Sequence, residues 1–272
     1  MDRFGDKVCC SPAVKLKKQK SYPVIDIDKI TPGYKTVRSV ESVEYTGQGG
    51  AKFQDHDVLF ARITPCLENG KMSIADTDGQ NGIGSTELFV FRGIDGVSDT
   101  DYVYYLLRMK HIRQLAANSM TGASGRQRAD MDFIKRIQWD FPDVETQKRI
   151  TEFKEKLQDR IRWNYSGETE ILVLQNNPGQ RNVLNFQNYV AINVNKGIRE
   201  EYIDSFQSFM ESLIRSSKRR VTAKEVIRDV RNSRISVKDI LAGAIDDCKK
   251  VPTPVKEIAK DRLFYRCANT ML

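Results

Sequence analysis

The sequence predicts an α+β protein, with a mainly antiparallel or barrel-like sheet and packed helices over residues 1–142, a coiled-coil-like helix over 143–165, a connector over 166–197 and an all-helical region over 198–272. Three observations lead there. Short apolar runs between residues 22 and 92 are separated by glycine-rich turns, as in small antiparallel sheets. At Ser98 the apolar spacing changes from two to the three-and-four of a helix. After Pro142 a highly charged stretch carries one narrow apolar seam, which needs a second helix to cover it.

In chain order, the first twenty residues mix Cys9 and Cys10 with a basic run, Lys15, Lys17, Lys18 and Lys20, and read as a loop or ragged arm. Residues 22–30 alternate apolar Val24 or Ile25 with Asp26 and Asp28, the period of a strand, and end at the turn Thr31-Pro32-Gly33-Tyr34. A short β element is expected over 36–45, then a loop at Gly47-Gln48-Gly49-Gly50, because glycine disfavours regular structure. Residues 58–63 read as a buried strand, and 71–75 and 87–92 as two more. Tyr102, Tyr105, Leu106, Met109, Ile112 and Ala116 line one side of a single helix, with Ser98 and Asp101 as its capping pair and the tyrosine stripe on the core side. Residues 133–141 read as a strand with Ile134, Ile137 and Trp139 inward, stopped by Pro142. Next comes the charged helix, its seam formed by Ile150, Phe153, Leu157 and Ile161. Beyond a loop at 176–180, Ile203, Phe206, Met210 and Leu213 mark a helix, and further short helices are expected at 222–231, 237–249 and from Pro254.

Composition narrows the function. A formal net charge of +8 favours a polyanionic partner, since Lys and Arg that neutralise phosphates release counterions. Five scattered cysteines without paired spacing suit a reducing, cytoplasmic setting. The only histidines are His56 and His111, so neither a metal site nor a cofactor is expected. Neither a leader nor a membrane span is expected, for lack of a long apolar run.

Several segments, in order, resemble the target-recognition domain of type I restriction-modification specificity subunits over residues 22–165. They are Tyr22-Pro23-Val24-Ile25-Asp26-Ile27, Asp57-Val58-Leu59-Phe60-Ala61-Arg62-Ile63-Thr64-Pro65 and Glu68-Asn69-Gly70-Lys71. The Asp101-Tyr102-Val103-Tyr104-Tyr105-Leu106-Leu107 helix follows, then residues 122–128, Phe141-Pro142 and Glu145-Thr146-Gln147-Lys148-Arg149-Ile150. The resemblance implies a curled sheet with helices, a long helix that pairs with another, DNA contacts from loops, and no catalysis by the chain itself. Double-stranded DNA, a methyltransferase subunit and a restriction subunit are the partners it implies. The chain departs from the family in having one such domain where the usual subunit has two, and in an unfamiliar last hundred residues. One domain reads half of a two-part site, so either two copies pair through the helix or the tail serves another purpose.

The candidate contacts follow from chemistry and this resemblance together. Arg126 and Arg128 flank Gln127 in a glycine-containing loop that includes Ser124; arginine can be bidentate to guanine, and glutamine to adenine. The four arm lysines suit backbone phosphates. Arg62, at a strand end, either projects to DNA or pairs with Asp55 or Asp57, while Glu68-Asn69-Gly70 is a structural turn. The seam residues Ile150, Phe153, Leu157 and Ile161 face a partner helix, either residues 198–214 or a second copy.

Enzyme motifs fail on geometry. Pro142-Asp143 with Glu152-Phe153-Lys154 mimics a nuclease signature, but residues two apart on a helix point away from each other. Asn177-Pro178-Gly179 is an incomplete methyltransferase motif without a cofactor-binding glycine turn. The alternative from another class is a stand-alone DNA-binding regulator, in which residues 222–231 and 237–249 form a helix-turn-helix-like unit.

Overall fold

The computed structural model describes residues 1–123, 125–161, 165–176, 184–200, 203, 205–218, 224–228 and 264–267. The chain forms two units, residues 1–155 and 156–272.

In the first unit, β1 (Asp2–Arg3), α1 (Phe4–Lys7) and β2 (Val8–Cys10) precede β3 (Ser21–Ile25), β4 (Thr36–Arg38), β5 (Glu41–Glu44) and β6 (Ala51–Phe53). Then come β7 (Val58–Ala61), β8 (Met72–Asp76), β9 (Gly82–Gly84), β10 (Leu88–Gly93), α2 (Thr100–Arg108), α3 (Lys110–Asn118), α4 (Met131–Arg136), β11 (Gln138–Trp139) and α5 (Val144–Ile161). Where one curled sheet was expected, the described strands of this unit make the short pair β1-β11 and two larger sheets. One has the order β2-β10-β7-β8-β4, the other β5-β3-β9-β6, and every pairing is antiparallel except β3 with β9 and β4 with β8. The chain alternates between the sheets, so Ile25 and Phe53 of the smaller one share a core with Val37, Leu59, Ala75 and Val90 of the larger. Gly82 is required there, because a Cβ would run into the Phe53 ring. Helix α2 covers β7, β8 and β10 with a face that includes the buried Tyr104 and Tyr105.

Several expectations are corrected. The arm is not ragged: Phe4 is buried, edge to face with Phe91, and β2 pairs with β10. The helix expected from Ser98 breaks at Met109, whose ψ of 128° leaves the helical region and divides α2 from α3. Its cap is Asp99, which accepts from the Tyr102 amide, while Ser98 instead ties Ile94 to Lys7. Residues 131–136 are helical rather than extended. Asp130 caps α4, and Ile134 and Ile137 are both buried, the spacing of a helical turn and not an alternation.

Asp101, freed from capping, bonds His56 at 2.9 Å and is ion-paired with Lys35, which also holds Glu155. Burial pushes the Asp101 carboxyl up, but the bonds from His56 and Lys35 outweigh it and hold it below its usual range. The same bond, against desolvation, raises His56 above 6.5. A raised folded pKa stabilises fully below the unfolded value and less as pH climbs through the folded one. Replacing His56 by alanine should therefore lower the melting temperature more at about pH 6 than at about pH 9; a pH-independent difference by calorimetry would refute the pairing.

The second unit contains β12 (Glu170–Asn176), β13 (Leu184–Asn193), α6 (Val194–Arg199), α7 (Phe206–Ser217) and β14 (Phe264–Cys267). The connector and the all-helical region are thus corrected to a three-stranded antiparallel sheet, β12-β13-β14, with helices. The apolar run Ile171-Leu172-Val173-Leu174 was the overlooked strand signal. Phe209 and Leu213 of α7 pack with Val190 and Ile192 of β13, so that face of α7 is already covered by the sheet, while Phe206 stays exposed. Of the helices read at 222–231, 237–249 and from Pro254, residues 224–228 are described and helical, and residues 264–267 are described as the strand β14. Among the described residues no helix is long and apolar enough to cross a membrane.

Candidate nucleic-acid interface

Between α3 and α4 the chain makes a loop closed by two backbone bonds, Thr121 N–H to Arg128 O at 3.1 Å and Arg128 N–H to Thr121 O at 3.0 Å. Gly122 and Gly125, at φ 120° and 78°, allow the reversal within it. Its base is docked on the chain that leaves β7. Thr64 N–H donates to Gln127 O at 3.0 Å, Ala129 N–H donates to Arg62 O at 2.8 Å, and Ile63 bridges to Arg128. Ser119 closes the rear, its hydroxyl donating to Ala116 O and accepting from the Asp130 amide.

Within this frame the predicted residues separate. Arg126 is exposed and in no ion pair among the described residues, and Gln127 is half-buried with its carbonyl engaged. Arg128 is partly exposed and ion-paired: Nε and Nη2 donate to the Glu87 carboxylate at 2.8 and 2.5 Å, and Nη1 donates to Arg126 O at 3.2 Å. The bond from Arg128 holds Glu87 below the usual carboxylate range. Arg128, expected as a DNA contact, thus has its Nε–Nη2 edge held by Glu87. Ser124 lies outside the described residues.

Arg62 does not pair with Asp55 or Asp57. Asp57 is taken by Arg92 and Asp55 by the Thr77 and Gly79 amides, while the Arg62 guanidinium lies 4.6 Å from the centre of the Phe89 ring. Its Nε is buried without a hydrogen bond among the described residues. Glu68-Asn69-Gly70 is the structural turn expected, with Gly70 at φ 75° and Arg113 donating to Glu68 O. Tyr102, Tyr105 and Leu106 are buried, as expected.

The lysine arm lies against the smaller sheet. Gln19 N–H donates to Tyr45 O and Tyr45 N–H to Lys20 O, both at 2.9 Å, while the Lys17 amide donates to Tyr22 Oη at 2.8 Å. Tyr22 and Tyr45 meet edge to face at 6.3 Å, with Lys20 Nζ 5.6 Å from the Tyr22 ring and Lys52 Nζ 5.0 Å from that of Tyr45. Among the described residues Lys15, Lys17, Lys18, Lys20 and Lys52 are in no ion pair, although Lys35, Arg38, Arg92 and Arg128 all are. Lys52 was missed from sequence. The signal was the alternation Ala51-Lys52-Phe53, which puts Lys52 opposite a core residue.

On α5 the seam divides. Phe153 is 53% exposed and Ile150 half-buried, whereas Leu157 is already buried within the chain; the side chain of Ile161 lies outside the described residues. The α5 face that docks on the first unit is polar. Gln147 donates to Val97 O and Pro142 O and accepts from the Asp99 amide, and Thr151 lies one turn further along.

Among the described residues no cluster of three or more His, Cys, Asp or Glu suits a metal ion. Comparison with known proteins gives a match to the type I restriction modification DNA specificity domain over residues 10–171. The specificity subunit of the type I restriction enzyme EcoEI of Escherichia coli is 34% identical over 104 residues, and that of EcoAI, also from Escherichia coli, 30% identical over 104. Each alignment takes in 38% of this chain and 18% of the relative, so the chain spans under a fifth of the curated relatives it matches. Among solved structures, the HsdS subunit from Thermoanaerobacter tengcongensis aligns with a TM-score of 0.47 at 17% identity, covering 66% of this chain and 56% of that one. A chain from a type I R-M system complex gives 0.45 at 23%, covering 59% and 42%.

Proposed function

The chain belongs to the family of type I restriction modification DNA specificity domains, and from that premise we propose that residues 1–142 read a DNA sequence on behalf of a partner methyltransferase. The chain directs chemistry and performs none; methylation, and any cleavage by a restriction subunit, occur on partner subunits. The docked loop of residues 121–128 is the observation that supports this best. It offers an exposed arginine and an adjacent glutamine from a base fixed by backbone and side-chain hydrogen bonds, which is how base readout obtains a defined geometry. Arg62, braced on Phe89 beside that base, is the adjoining contact, and the arm lysines supply sequence-independent attraction to phosphates. Residues 143–165 act as spacer, with Phe153 and Ile150 offered to a methyltransferase subunit or to a second copy of the chain. Two copies so paired would read a two-part site.

Co-expression with the cognate methyltransferase subunit, followed by mapping of methylated bases, tests this reading. A stable complex and one methylated word are expected. Arg126→Ala should leave the complex intact and relax the word at one base pair, a loss of about 1–3 kcal/mol or roughly 5- to 150-fold in discrimination. Failure to co-purify, or a methylation map unaltered by omitting the chain, sinks the proposal.

A further inference from the structure

Besides its backbone bonds, the loop that carries Arg126 and Gln127 is held by a side-chain tether to a carboxylate that lies 41 residues from Arg128 in sequence, at the entry to β10. Glu87 receives the Nε–Nη2 edge of Arg128, and its own carbonyl accepts from the Arg62 amide at 2.9 Å, so it joins the loop to the chain leaving β7. A guanidinium reads guanine by presenting two parallel donors to O6 and N7. In Arg128 the Nε–Nη2 edge is committed to Glu87, and Nη1, needed for the other edge, is drawn to Arg126 O. Three of the five Arg128 N–H donors are engaged in this way, whereas Arg126 is exposed and in no ion pair among the described residues.

We propose that Glu87 sets the pose of the reading loop, acting as a positioning residue through Arg128, and that Arg126 and Gln127 are thereby the residues presented to bases. This rests on the reading of residues 121–128 as a DNA-contacting loop. Electrostatics give the arrangement a distinctive consequence. The Glu87 carboxylate is bonded to Arg128 and also feels the charge of Arg62. Neutralising Glu87 removes the side-chain tether while the Thr121–Arg128 backbone bonds remain. It also releases one positive charge toward a polyanion. Discrimination between sequences and general affinity for DNA therefore move in opposite directions, which a purely structural defect would not produce.

The test selects bound words from a pool of randomised duplexes with the full chain and with Glu87→Gln, Arg128→Gln, their double variant, Arg128→Lys and Arg126→Ala. Glu87→Gln and Arg128→Gln should each flatten preference by about tenfold over several adjacent base pairs, and the double variant by no more than either. Arg128→Lys keeps a cation on Glu87 and should retain most of the preference, whereas Arg126→Ala should affect one base pair. Binding of Glu87→Gln to a random duplex should equal or exceed wild type. Should Glu87→Gln fail to fold, Glu87→Asp, with a shorter reach, must give an intermediate flattening. Unaltered preference in Glu87→Gln overturns the proposal. So does loss of a single base pair in Arg128→Gln and Arg128→Lys that Glu87→Gln retains, since Arg128 would then be reading that base itself. If the wild-type chain binds duplex DNA but enriches no word, the assignment of the loop as a reader falls first and this inference falls with it.

Discussion

Alanine at Lys17, Lys18, Lys20 and Lys52 together is expected to flatten the salt dependence of DNA binding while leaving the preferred word unchanged. The Lys20 and Lys52 ammonium groups lie over the Tyr22 and Tyr45 rings, Lys17 and Lys18 belong to the same arm, and none of the four is in an ion pair among the described residues, so their charge is not already neutralised by the protein. Each phosphate contact releases condensed counterions and contributes about 0.9 to the slope of log affinity against log salt. Four contacts contribute about 3.6, or roughly 150-fold in affinity across a fourfold rise in salt. Titration of wild type and variant against one duplex at several salt concentrations measures this directly. A slope shared by both proteins would show that the arm is merely solvated. Because Tyr22 and Tyr45 remain, the fold should survive, and an unaltered melting temperature is the control.

Asp57→Ala should destabilise the first unit by about 3 kcal/mol, a fall of roughly 6–12 °C in melting temperature. The Asp57 side chain is 1% exposed and accepts from Arg92 Nε and Nη2 at 2.6 and 2.7 Å, as well as from the Gln54 amide at 2.7 Å. Removing it strands a guanidinium on β10 and an amide in the turn before β7. The Arg92 side chain is 27% exposed, so water offsets part of the loss, and the expectation sits at the low end for a broken buried pair. Replacing both partners with apolar residues, as in Asp57→Leu with Arg92→Met, should recover much of the stability, because no charge is then left uncompensated. A loss below about 1 kcal/mol for Asp57→Ala would show that the pair contributes no more than an exposed one.

Legibility in the sequence followed the range of the interactions. The strand runs, the glycine turns and the tyrosine stripe were readable because a core-facing pattern is a local property of a few consecutive residues. Where two periods compete, reading failed. Ile134 and Ile137 sit three apart, yet the segment also alternates, and the Asp130 cap that selects the helix was overlooked. The connector failed for a different reason, since Ile171-Leu172-Val173-Leu174 is a strand run passed over beside the more conspicuous asparagine-proline-glycine loop. Gln147 lay in a recognised motif, but its role waited on Val97 and Asp99, some fifty residues away.

By itself the sequence determined an α+β chain with a basic, glycine-containing loop before Pro142, since composition and periodicity are written along the chain, and its quoted segments resembled the type I specificity family. Only the tertiary structure distinguished Arg126 from Arg128. Two arginines in one loop have the same chemistry. Which of them meets a carboxylate depends on the strand pairing that brings Glu87 beside the loop, and the energy of an ion pair is set by distance in space, not by separation along the chain.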